Sequence, residues 1–200
     1  MAKESLTGLS GSPRVSKALR ELQGLTVSVL TGASANTKID LAAIRPEDTI
    51  VSAVMVAAGV PSDISADASI VDLRATGTLT LGTVVANNTA TVNGRLFTFK
   101  ATPTDLQHVL LGGTAAANAI NLAAKINALE GNAVTATPAT NVVTVRANAE
   151  GTAGNSIAIV GGSNVTASGA TLAGGSATGG VKFTSSTASN TVLLTWFNKR

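Results

Sequence analysis

Two apolar, β-branched stretches stand at opposite ends of this chain. Leu25-Thr26-Val27-Ser28-Val29-Leu30 and Thr49-Ile50-Val51-Ser52-Ala53-Val54-Met55-Val56 lie near the start, and Thr191-Val192-Leu193-Leu194-Thr195-Trp196-Phe197 lies at the finish. Between residues 75 and 177 the composition shifts to Ala, Thr, Gly and Asn. A closing strand needs a sheet to join, and strands that alternate in this way belong mostly to antiparallel sheets packed on one face. The arrangement that satisfies both ends is a mainly β fold: a discontinuous antiparallel β-sandwich base from residues 25–74 and 178–200, with residues 75–177 inserted as a small α+β domain. Insertion is tolerated where the two ends of the inserted segment lie close together.

Within the first part, a second strand is expected at Thr37 to Ala42, and Arg45-Pro46-Glu47-Asp48 reads as a turn in which Pro46 fixes its own φ. The strand at Thr49 to Val56 is expected to end at Gly59 and Pro61, and Ser69 to Leu73 is a further strand. In the middle segment Thr76 to Leu81 reads as a strand. Thr89 to Val92 and Arg95 to Lys100 flank Asn93-Gly94, the strongest short hairpin signal. Phe97 and Phe99 share one face of their strand and should anchor a core. After a short apolar run from His108 to Leu111, Gly112-Gly113 leads to Thr114 as the cap of the one helix, which reaches about Leu129. Ala119, Leu122, Ala123, Ile126 and Leu129 fall on a single stripe of it. Strands are expected at Ala133 to Ala136, Val142 to Ala147, Ser156 to Val160 and Asn164 to Leu172. Val181 to Phe183 and Thr191 to Phe197 then return to the base. Residues 1–24 form an N-terminal arm in which Lys3, Arg14, Lys17 and Arg20 outnumber Glu4 and Glu21, with a helical piece at Val15 to Leu22.

Function classes narrow by what is missing. Apolar residues make up 44% of the chain and charged residues only 12%, against about 25% in an average globular protein. The deficit in charge, rather than in hydrophobicity, argues against disorder. A net charge of +3 from scattered groups does not make a nucleic-acid surface. The longest apolar stretch, Ala53 to Val60, falls far short of the roughly 20 residues of a membrane helix, and the N-terminus has no apolar signal core. A soluble or assembled protein is expected. With no cysteine and a single histidine, thiolate and multi-histidine metal sites are excluded. His108 follows Asp105 by three residues, and no nucleophile elbow accompanies the pair. Gly32 to Lys38 resembles a phosphate loop, but it lacks the second Gly before Lys38 and has Ile39 in place of the magnesium-binding Ser or Thr. No catalytic, cofactor-binding or metal-ligating residue is assigned, and no small-molecule substrate, membrane or nucleic acid is expected as a partner. Trp196 and Phe197 are the candidate subunit-interface residues, because interfaces favour aromatic groups and avoid charge at their centres. Alternation sends one of the two into the core.

These residues carry a resemblance. Thr31 to Ile39, followed by Ile44 to Val54, resembles the opening of the small capsid decoration, or cement, proteins of tailed bacteriophages, and Val181 to Phe183 through Leu193 to Phe197 is similar to their last strands. Thr91 to Phe99, Gly113 to Asn127 and Gly151 to Asn155 resemble a module found in tail sheath and other phage structural proteins. The first resemblance implies a non-enzymatic protein on the outer surface of an icosahedral head, a homotrimer that bridges neighbouring major capsid proteins. The basic arm, with Arg14, Lys17 and Arg20, would then lie along the capsid. The second leaves open a tail tube or sheath component, and a host-surface adhesin is a third class.

Overall fold

The computed structural model describes residues 25–199. It is mainly β, with antiparallel sheets and one α-helix among the described residues. Residues 25–72 together with 179–199 form one compact unit, and residues 73–178 form another.

The first unit contains β1 (Leu25–Thr31), β2 (Ile39–Asp40), β3 (Thr49–Ala57), β4 (Val60–Asp63), β5 (Ala68–Ile70), β14 (Gly180–Phe183) and β15 (Thr191–Phe197). β15 is central. It pairs antiparallel with β1, setting Leu25 opposite Phe197 and Thr31 opposite Thr191, and on its other side it pairs with β3. The sheet order is β1-β15-β3-β4, and a three-stranded sheet, β2-β14-β5, accompanies it. Between Thr195 and Trp196 the register with β3 slips, so that Val51 is an extra residue, a bulge that leaves Val51 exposed. Val192, Leu194 and Trp196 are buried with Leu30, Ile44, Ala53, Val181 and Phe183 in one core.

Two expectations for this unit are corrected. The chain does not stop at Gly59 and Pro61: Ala58 and Gly59 take φ values of 49° and 82°, which turn the chain back into β4. Pro61 is accommodated because β4 is an edge strand, where a missing N–H breaks no interior ladder. The strand expected over Thr37 to Ala42 is only Ile39–Asp40, because Asn36, with φ of 58°, and the Ser34–Thr37 turn occupy its start. The helical piece expected at Val15 to Leu22 lies outside the described residues.

The second unit contains β6 (Arg74–Leu81), β7 (Thr89–Val92), β8 (Arg95–Lys100), β9 (His108–Leu110), α1 (Ala115–Glu130), β10 (Val134–Ala139), β11 (Val142–Glu150), β12 (Ile159–Gly161) and β13 (Val165–Ala167). One sheet has the order β10-β11-β6-β13 and the other β12-β7-β8-β9. The β8–β9 pair is parallel, a feature the sequence pattern does not announce. The Asn93-Gly94 turn joins β7 and β8 with Val92 opposite Arg95. Phe97 and Phe99 are fully buried, and Ala119, Leu122, Ala123 and Ile126 of α1 share their core. Thr114 caps α1 by accepting the N–H of Ala117 at 3.1 Å. The strand expected over Asn164 to Leu172 is limited to β13; beyond it only isolated bridges form, at Thr171 and Ala173.

Candidate interaction surface

Alternation along β15 separates the two aromatic residues proposed for a subunit contact. Trp196 is 1% exposed and sits in the core with Leu194 and Val192, whereas Phe197 is half-buried on the opposite face. Of the pair, only Phe197 is placed to meet another molecule. Arg14, Lys17 and Arg20 lie outside the described residues.

Phe197 belongs to a larger apolar surface. In register with it and with Leu193 stand Leu25 and Val29 of β1, and Val27 lies between them opposite Thr195. Val27 is 61% exposed and Val29 68%. Val54 of β3 stands opposite Leu193 on the other side. None of β1, β3 and β15 carries a charged residue. Isolated exposed apolar residues are ordinary, but a contiguous uncharged face of this kind marks a contact surface. The sequence holds a signal for it: in β1 the apolar residues and the hydroxyl residues alternate, and the burial pattern shows Leu25, Val27 and Val29 on the outward side with Thr26, Ser28 and Leu30 turned inward.

The ends of this sheet are fastened by side chains. Asp48, 6% exposed, receives the N–H of Arg45 on Oδ2 and of Lys199 on Oδ1. Thr187, 2% exposed, accepts the Ala33 N–H through Oγ1 at 3.0 Å and donates to the Ala33 carbonyl at 3.2 Å. Asp63 receives both the hydroxyl and the N–H of Ser65, which hold its carboxyl below the ordinary pKa. The Gly32 to Lys38 loop is occupied structurally: Gly32 N–H donates to Asn190, Asn36 N–H donates to Phe183, and Lys38 pairs with Asp40 at 2.9 Å.

In the second unit the His108 ring is taken up by its own loop. Nδ1 accepts from the N–H groups of Thr104 and Asp105, and Nε2 faces the Asp105 carboxylate at 3.3 Å. An open depression beside it is lined by Pro103, Leu110, Asn121 and Lys125. Glu130, at the end of α1, is 8% exposed and receives Asn93 Nδ2 at 2.8 Å and Arg95 Nε, tying the hairpin turn to the helix. Among the described residues no group of three or more His, Asp or Glu side chains is placed to hold a metal ion, and no helix is long and apolar enough to cross a membrane.

The local geometry therefore concentrates on one feature, the uncharged outer face of β1 and β15. Compared with family models, with curated proteins and with solved structures, the chain matches none.

Proposed function

We propose that this chain is a non-enzymatic virion structural protein, a capsid decoration or cement protein that binds the outside of a tailed-bacteriophage head and bridges neighbouring major capsid proteins as a homotrimer. The observation that carries this reading is the position of β15 between β1 and β3. Through it, the stretches that resemble decoration proteins, residues 31–39, 44–54, 181–183 and 193–197, come together in one unit, while residues 91–99, 113–127 and 151–155, which resemble the other virion module, fall in the second. Two sheets around the Trp196 core support reading the first unit as a β-sandwich base and residues 73–178 as its inserted α+β domain. Phe197 supplies the subunit contact, and Arg14, Lys17 and Arg20 supply the capsid contact.

The role needs no chemistry. A protein that binds only the assembled shell shifts the equilibrium toward it, and many copies on adjoining subunits multiply a weak contact. The test is to add the purified protein to expanded heads that lack it, then measure occupancy by electron microscopy and the temperature at which the heads open. Decorated, heat-resistant shells are expected. Heads that neither recruit the protein nor gain heat resistance overturn the proposal, and density confined to tails or fibre tips assigns the chain to the tail or adhesin class instead. Deleting residues 2–22 should lower occupancy while the fold persists.

A further inference from the structure

The outer face of β1 and β15 is apolar, uncharged and exposed, with Val27, Val29 and Leu193 at 61%, 68% and 38%. β1 is moreover an edge strand without the charge, proline or bulge that usually guards an edge. The chain that precedes β1 carries a matching pattern. Val15, Ala18, Leu19 and Leu22 are spaced i, i+3, i+4 and i+7, the spacing of one helical stripe, while Arg14, Lys17 and Arg20 fall on the other side of the same wheel. Only Gln23 and Gly24 separate Leu22 from the first residue of β1.

We infer that residues 15–22 dock on this face as a short helix, with Val15, Ala18, Leu19 and Leu22 against Val27, Val29 and Leu193 and the three basic side chains turned outward. The dimensions agree. Eight helical residues extend about 12 Å and a helix is about 10 Å across, so it covers two strands spaced about 4.8 Å apart, here β1 and β15. A two-residue connection is an ordinary length between a helix and a strand, and Gly24 is placed where a glycine closes a helix and reverses the chain. Charge agrees as well, since a face with no ionic group accepts an apolar stripe and leaves the arginines and lysine in water. Occupancy by the chain's own segment also has an advantage over a second copy, because a short tether keeps the segment at an effective concentration of the order of millimolar. The inference goes beyond the proposed role and does not rest on it.

The absence of native cysteine makes a direct test clean. In the full chain, Leu19→Cys is combined in turn with Val27→Cys, Val29→Cys and Leu193→Cys, and each double variant is oxidised at high dilution. At least one pair should close within a single chain, whereas Leu19→Cys with Leu106→Cys, an exposed position of the second unit, should not. In parallel, Leu19→Asp with Leu22→Asp should raise the emission of the apolar-surface dye anilinonaphthalene sulfonate several-fold while the emission of Trp196 stays native. Cross-links formed only between chains give the face to a second copy and overturn the inference. Failure of all three pairs to close within a chain, or dye emission unchanged in the double aspartate variant, overturns it too. Should the aspartate variant lose its native Trp196 emission, the cross-linking result decides.

Discussion

Asp48 and Lys199 are hydrogen-bonded although 151 positions separate them: the Lys199 N–H donates to Asp48 Oδ1 at 3.2 Å. The other carboxylate oxygen takes the Arg45 N–H at 2.9 Å. A single buried side chain thus closes the turn that starts β3 and pins the chain just past the end of β15, at the point where Thr49 and Phe197 are partners. Fraying of β15 from β3 has to break this clasp first.

Asp48→Ala leaves two N–H groups without their acceptor, and hydrogen bonds to a charged group contribute roughly 1.5–3 kcal/mol each at the upper end of the measured range. The variant should lose on the order of 2 kcal/mol in urea unfolding followed by Trp196 emission, and protease should clip its C-terminus sooner. Asp48→Asn retains one acceptor oxygen and should fall between the two. A wild-type urea midpoint for Asp48→Ala would show that the clasp contributes nothing.

Gly32 and Thr187 make a second closure. A Cβ on Gly32 would stand 1.8 Å from the Thr187 carbonyl oxygen, far inside any real contact, so the two backbones approach as closely as they do only because residue 32 lacks a side chain. Gly32→Ala must push the 187 segment away and break the Thr187 bonds to Ala33 as well. It should therefore destabilise the first unit at least as much as Thr187→Val, whose expected loss is about 1–3 kcal/mol. The order of the two midpoints is the measurement, and a neutral Gly32→Ala would contradict the geometry.

How legible this fold was depends on whether the deciding forces are local. The Asn93-Gly94 hairpin and the Thr114-capped helix could be read directly, because turn chemistry and capping act within a few residues. β15 could be delimited from its β-branched run, and its need for a distant partner followed from its lying so far from the other such runs. β4 was missed because Pro61 is a strand breaker in the interior of a sheet and harmless at an edge, and no local signal says which a strand will be. The parallel β8–β9 pair and the shortening of the Asn164 to Leu172 strand to β13 depend on neighbours far along the chain. At the candidate surface, alternation announced that Trp196 and Phe197 must part. Which of them turned inward was settled by pairing with β1 and β3.

Excising the middle segment tests whether the first unit stands by itself. β5 and β14 pair antiparallel, and the Val71 N–H donates to the Gly180 carbonyl at 2.9 Å, so the chain leaves and returns side by side. Replacing residues 73–178 by a short Gly/Ser linker adds little loop-closure entropy, since that cost grows only slowly with length. Trp196 is the only tryptophan and lies in the core of the first unit, so it reports on that unit alone. The shortened chain should keep a blue-shifted emission and a cooperative urea transition. Emission resembling that of free tryptophan in water would mean that residues 25–72 and 179–199 cannot fold without the remainder.

Glu130 sets the acid limit of the second unit. Burial pushes its pKa up, but the hydrogen bonds from Arg95 and Asn93 and the positive charge of Arg95 prevail, and the group ends below its ordinary value of 4.5. A carboxylate whose pKa is depressed in the folded state stabilises fully above its unfolded pKa, and that contribution is lost as pH falls through the folded value. Glu130→Gln, which cannot ionise, should therefore unfold at a lower temperature than the wild type near neutral pH. The gap should narrow as pH drops below about 4.5 and close at still more acid pH. Because the Arg95 side chain is 37% exposed, part of the neutral-pH gap should also shrink with added salt. Calorimetric melts of both proteins across this range are the measurement, and a gap independent of pH would mean that the Asn93–Glu130–Arg95 cluster contributes through packing alone.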